Sequence, residues 1–139
     1  MMKLPDPELS KFEKAALAMA LAGEHPTLLA LRRQLPYCRV AEREMTGCGF
    51  ITTIEVDRLL VEPALEEYFL ITDVFVNTAA VRDGIGLLLV IDDGYIAHLE
   101  GFTFGGEWPE AIEPCEFKYM NLNPDGSRNW LNKPPKWPS

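Results

Sequence analysis

Residues 88–99 read Leu-Leu-Val-Ile-Asp-Asp-Gly-Tyr-Ile-Ala-His-Leu, and this stretch decides the fold. Asp93-Gly94 lies between two β-type runs. A two-residue type I′ turn needs φ above zero at both central positions, and Asp-Gly reaches that conformation at low cost. The pattern therefore predicts a tight antiparallel hairpin. Just upstream, Ile85 to Ile91 is almost unbroken apolar sequence, the composition of a central strand covered on both faces.

Working outward, the neighbouring segments also read as strands. Phe50, Thr52, Ile54 and Val56 alternate with Ile51, Thr53 and Glu55, a half-buried pattern of period two. Cys38 to Glu44 alternates in the same way, and Gly47-Cys48-Gly49 reads as the reversal between the two. Tyr68 to Thr78 is rich in Val, Ile, Phe and Thr, and Glu116 to Asn121 makes a short strand. Asn123-Pro124-Asp125-Gly126 has the chemistry of a type I turn. Arg58 to Glu67 is acidic, contains Pro63 and reads as an irregular excursion. The tail from residue 122 to 139 is rich in proline and reads as extended, either docked through Trp130 and Trp137 or loose.

The start of the chain changes period. Leu9, Phe12, Ala16 and Met19 recur at steps of three and four, which predicts an amphipathic helix from Pro7 to Ala22 with Asp6 as its N-cap and Gly23 beyond its end. A second helix is expected from Pro26 to Leu35, stopped by Pro36. Helices followed by strands argue for a single α+β domain over residues 1–139. Its helical part is 1–36, and its sheet over 37–121 has about four to six mainly antiparallel strands backed by the two helices.

At 139 residues and 47% apolar content the chain can bury one sizeable core. No stretch approaches the ~18 apolar residues of a spanning helix. Asp6, Glu8 and Glu13 stand where a secretory signal would be positive. Three cysteines, Cys38, Cys48 and Cys115, are widely spaced with no CxxC pair, against a disulfide framework or a thiolate zinc site. A cytoplasmic protein is expected.

Charge is the other strong signal. Residues 46–117 hold fourteen carboxylates against Arg58 and Arg82, while the net charge of the whole chain is −8. Such a strip repels nucleic acid and attracts a basic macromolecule. Cys48 lies between glycines but in acidic surroundings, which oppose formation of a nucleophilic thiolate. His98 and Glu100 share one face of a strand and read as a solvent-facing pair. Asp92 and Asp93, with Glu100 across the hairpin, are hard oxygen ligands for a divalent cation only under an alternative reading. Gly84-x-Gly86 and Gly101 to Gly106 are followed by no helix, against a phosphate-binding loop. Trp108, between Glu107 and Pro109-Glu110, has the composition of an anchor with an acidic rim. Neither a catalytic residue nor a cofactor is assigned.

Thr46-Gly-Cys-Gly-Phe-Ile-Thr and Asp93-Gly-Tyr-Ile-Ala-His-Leu-Glu, the latter running on to Trp108-Pro109, resemble a group of small, largely uncharacterised bacterial proteins. These share a T-G-x-G-F-x-T strand and a D-G-x-x-x-x-L-E hairpin ending in W-P. The likeness covers residues 46–110. Small acidic proteins of this kind are common among immunity partners of bacterial toxins, and by that analogy the expected function is non-enzymatic occlusion of a basic toxin. The expected contact residues are Asp92, Asp93, Glu100, Glu107 and Trp108. A small-molecule or cation-binding domain, and a homo-oligomer packed through Ile51 and Phe102, stand as alternatives.

Overall fold

The computed structural model describes residues 7–131. The chain is α+β: helix α1 (Lys11–Ala20), helix α2 (Pro26–Gln34), a 3-10 turn over Leu35–Tyr37, then strands β1 (Cys38–Met45), β2 (Gly49–Val56), β3 (Phe69–Ile71), β4 (Val74–Thr78), β5 (Val81–Asp92), β6 (Tyr95–Thr103), β7 (Cys115–Leu122) and β8 (Arg128–Leu131). Their order in the sheet is β1-β2-β6-β5-β4-β7-β8, with β3 pairing beside β4 on β5, and every pairing is antiparallel.

The hairpin forms as its sequence dictates. Asp93 and Gly94 have φ of 56° and 78°, and Val90 and His98, Leu89 and Leu99 pair across the two strands. The sheet has eight strands where four to six were expected. One reason is that the 68–78 run breaks at Thr72-Asp73 into β3 and β4, both of which pair with the 12-residue β5. Another is that the expected tail turns at Gly126 (φ 89°) and returns as β8 against β7. Trp130 there meets Phe75 edge-on at 5.5 Å, whereas Trp137 lies outside the described residues.

Helix α1 starts later than its proline suggested. Ser10 is the N-cap: its Oγ accepts the Glu13 amide at 3.1 Å, and its own amide donates to Glu13 Oε1 at 2.7 Å. This reciprocal box satisfies two donors at the helix start. Glu13 faces inward and is only 4% exposed. Its carboxylate also accepts from Arg43 Nη2 (2.6 Å) and Nε (3.1 Å) and from the Thr52 hydroxyl (2.6 Å). Burial pushes that carboxyl up, but Arg43, the Ser10 amide and Thr52 together hold it below the usual range. At the far end of α1, the Arg32 guanidinium donates to the carbonyls of Leu21 and Gly23, a C-cap supplied from α2.

Leu17, Leu21, Leu28 and Leu31 of the helical segment join Ile54, Val74, Val76, Ile85, Leu89, Ile91 and Leu99 in one core. The inward face also carries Phe50, whose ring lies over Gly101, its cross-strand partner. A Cβ on Gly101 would stand 2.3 Å from that ring. On the outward face the same device recurs with Phe102 over Gly86. That face also presents Ile51, Phe75, Leu88, His98, Glu100 and Trp130, all only partly buried or exposed.

Candidate functional site

The segment between β2 and β3 is irregular, as its proline and acidic residues suggested, but it is firmly held. It wraps over the β5–β6 turn. The Ala64 amide donates to the Gly94 carbonyl (2.8 Å), the Gly94 amide donates to the Glu67 carbonyl (2.8 Å), and the Tyr95 hydroxyl donates to the Val61 carbonyl (3.0 Å). Gln34, fully buried at the end of α2, completes the clasp. Its Nε2 donates to the carbonyls of Gly94 (2.9 Å) and Glu62 (3.3 Å), and its Oε1 accepts the Ile96 amide (3.0 Å). A Cβ at residue 94 would approach the Ala64 oxygen and Pro63 Cβ to 2.6 Å. Gly94 therefore serves both the turn and the close approach of the segment.

This clasp exposes an unusual set of side chains. Leu59 is 96% exposed, Leu65 93%, and Leu60 and Tyr68 are exposed as well. Single exposed leucines are ordinary, but four large apolar side chains exposed within ten residues of one firmly held segment call for an explanation. Around them stand Asp57, Glu62, Glu66, Glu67, Asp92 and Asp93, all exposed. Arg58 bonds Asp93 at 2.7 Å and lies over the Tyr95 ring at 4.4 Å. Arg58 and Arg33 line a cleft of ≈530 Å³ beneath Leu59 and Leu60. Carboxylates thus outnumber cations at this end of the sheet.

The expected contact residues do not converge. Asp92 and Asp93 belong to the surface just described. Glu100 projects from the middle of the outward face, with His98 Nε2 3.6 Å from its Oε2. In register it pairs with Leu88 rather than with Asp92, whose partner is Tyr95. Five residues of strand, roughly 17 Å, separate it from the turn. The cation-binding group of Asp92, Asp93 and Glu100 is therefore not assembled. Among the described residues no group of three or more His, Cys, Asp or Glu side chains could hold a metal ion.

Glu107 and Trp108 follow the far end of β6. Trp108 turns inward: its amide donates to the Gly47 carbonyl at 2.9 Å, and its ring meets Phe50 at 5.1 Å and Phe12 at 6.5 Å, both near-perpendicular. It caps the core instead of projecting as an anchor, while Glu107 beside it is exposed. Cys48 is exposed in the β1–β2 turn, and burial pushes the Cys38 thiol up to about 11. Among the described helices none is long and apolar enough to cross a membrane.

The exposed leucines were missed in the sequence because an aperiodic segment gives no face to assign. The available signal was Leu59-Leu60 and Leu65 without helical or strand spacing, set among glutamates. No family model, curated protein or solved structure matches the chain.

Proposed function

We propose that the chain is a non-enzymatic acidic binding protein that engages a basic protein through the clasped 57–68 segment and the Asp92-Asp93 turn. The observation that carries this reading is the set of exposed leucines and Tyr68 on a segment that, with the turn it is bonded to, exposes six carboxylates and is fixed in place by Gln34 and Gly94. Apolar anchors supply affinity by leaving water, and the surrounding charge steers the approach of a cationic partner. In its most concrete form the partner is a basic toxin whose phosphate-seeking site these carboxylates occlude. Rigid backbone hydrogen bonding of the segment lowers the ordering cost on association.

The test compares the wild-type chain with two variants, Leu59→Ser/Leu65→Ser and Glu66→Lys/Asp92→Lys, against a basic partner captured at low salt. The leucine variant should raise koff and the charge variant should lower kon, each by about tenfold or more. Wild-type association should slow steeply as salt rises. Glu107→Gln, at the opposite end of β6, should change neither rate. Binding that is indifferent to salt and to all four substitutions would refute the proposal.

A further inference from the structure

A second feature lies on the outward face at the other end of β5, far from the clasped segment. Phe75, Phe104 and Trp130 form the walls of a cleft of ≈290 Å³, with Met120, Lys118 and Arg128 completing it. We propose that this cleft is a binding site for a small planar aromatic carboxylate.

The walls come from sheet register. Phe75 on β4 pairs with Lys118 on β7, and Met120 on β7 pairs with Trp130 on β8, so these four side chains stand on one face. Arg128, two residues before Trp130 on the same strand, joins them. Phe104 lies nearly parallel to Phe75, 14° apart with centroids at 5.9 Å, and Trp130 stands at 76° to Phe75. Gly84 lines the cleft with no side chain to fill it, and Gly86 lets the Phe102 and Phe104 rings lie close to the sheet. Flat walls set at right angles suit a flat ring. The volume, at the small end of the roughly 300–1,000 Å³ typical of ligand sites, suits one or two fused rings and not a peptide.

Charge selects the anion. Across 46–117 the sequence has only two basic residues, yet the next two, Lys118 and Arg128, both line this cleft. Arg128 makes no ion pair among the described residues. Among the described residues the one ion pair of Lys118 is with Glu116, at 4.0 Å, and its side chain is 29% exposed. Two carboxylates oppose these cations, Asp83 in the lining and Glu116 beside Lys118. A carboxylate would gain a planar guanidinium partner and an ammonium beside three rings. On an acidic protein, such a pair of cations above aromatic walls has this ligand chemistry as its natural complement.

Calorimetric titration with three probes tests the assignment: 2-naphthoate, its neutral isostere 2-naphthamide, and non-planar cyclohexanecarboxylate. Naphthoate should bind saturably at one site, and each of the other two about tenfold more weakly. Arg128→Gln, an exposed position that leaves the fold intact, should weaken naphthoate about tenfold and leave naphthamide unchanged. Phe104→Leu should weaken both aromatic probes. Equal affinity for naphthoate and naphthamide, equal affinity for the cyclohexane acid, no effect of Arg128→Gln, or no saturable heat at millimolar naphthoate would each overturn the proposal.

Discussion

Replacing Glu13 by glutamine is the most informative test of how this fold is held. The carboxylate takes four hydrogen bonds of 2.6–3.1 Å, two on each oxygen, from the Ser10 amide, both Arg43 nitrogens and the Thr52 hydroxyl. A glutamine has one accepting oxygen and one donating nitrogen in that space, so two of the four donors lose their partner. Each buried unsatisfied donor costs about 1–3 kcal/mol. The Arg43 side chain is 29% exposed, so water recovers part of its loss. The expected cost is about 3 kcal/mol, at the lower end for a buried pair broken on one side. For a chain of this size that lowers Tm by roughly 10 °C. Because the Glu13 carboxyl is held below its ordinary value, its contribution is full above the unfolded carboxylate pKa. It is lost as pH falls through the folded one. The gap between wild type and Glu13→Gln, measured by urea unfolding followed by circular dichroism, should therefore be constant near neutrality and close in acid. A cost under about 1 kcal/mol, or one that grows as pH falls, would refute the reasoning. Removing both charges, with Glu13→Met and Arg43→Met together, should recover part of the loss.

Two further outcomes follow from buried polar groups. Gln34→Leu leaves the Ile96 amide and the Glu62 carbonyl without that partner, while the Gly94 carbonyl keeps the Ala64 amide; it should cost about 2 kcal/mol and speed amide exchange across 59–67 before the rest of the chain. Asp73 has a buried, unpartnered Oδ1 and a carboxyl pushed up by burial. Its ionised form opposes folding above that raised value, so Asp73→Asn should raise Tm at neutral pH, with the gain shrinking as pH falls through the folded pKa.

Local chemistry made part of this structure legible. Asp-Gly can satisfy two left-handed positions cheaply, so the hairpin was readable, as was the turn at Asn123–Gly126. Ser10-x-x-Glu13 was equally readable as a capping box, but Pro7 offered a competing start and a buried glutamate runs against the usual inside-outside pattern. The break at Thr72-Asp73 was hidden because an apolar run shows no seam until two strands compete for one neighbour. For the candidate site, composition identified the acidic character of residues 46–117 but not their placement. What gathers 57–68 onto Asp92-Asp93 is a set of bonds to main-chain groups, which are identical at every position of a sequence. Trp108 was open to two roles, and its contact with Phe12 depends on a residue 96 positions earlier.

The carbonyl of Pro7 accepts the amide of Val40 at 2.8 Å, and that of Glu8 accepts Arg43 Nη2 at 2.8 Å. These contacts lie along the free edge of β1, where an eight-residue strand would otherwise offer its hydrogen bonds to any passing extended chain. A proline placed there has no amide to pass on, so the ladder stops with it. The slip in pairing between Val40 and Glu42 and the charges on Arg39, Glu42, Arg43 and Glu44 make the same edge a poor template for growth. The β1 side of this wide antiparallel sheet is thus guarded against fibril-like extension by the proline cover at Val40, the pairing slip and the charges together.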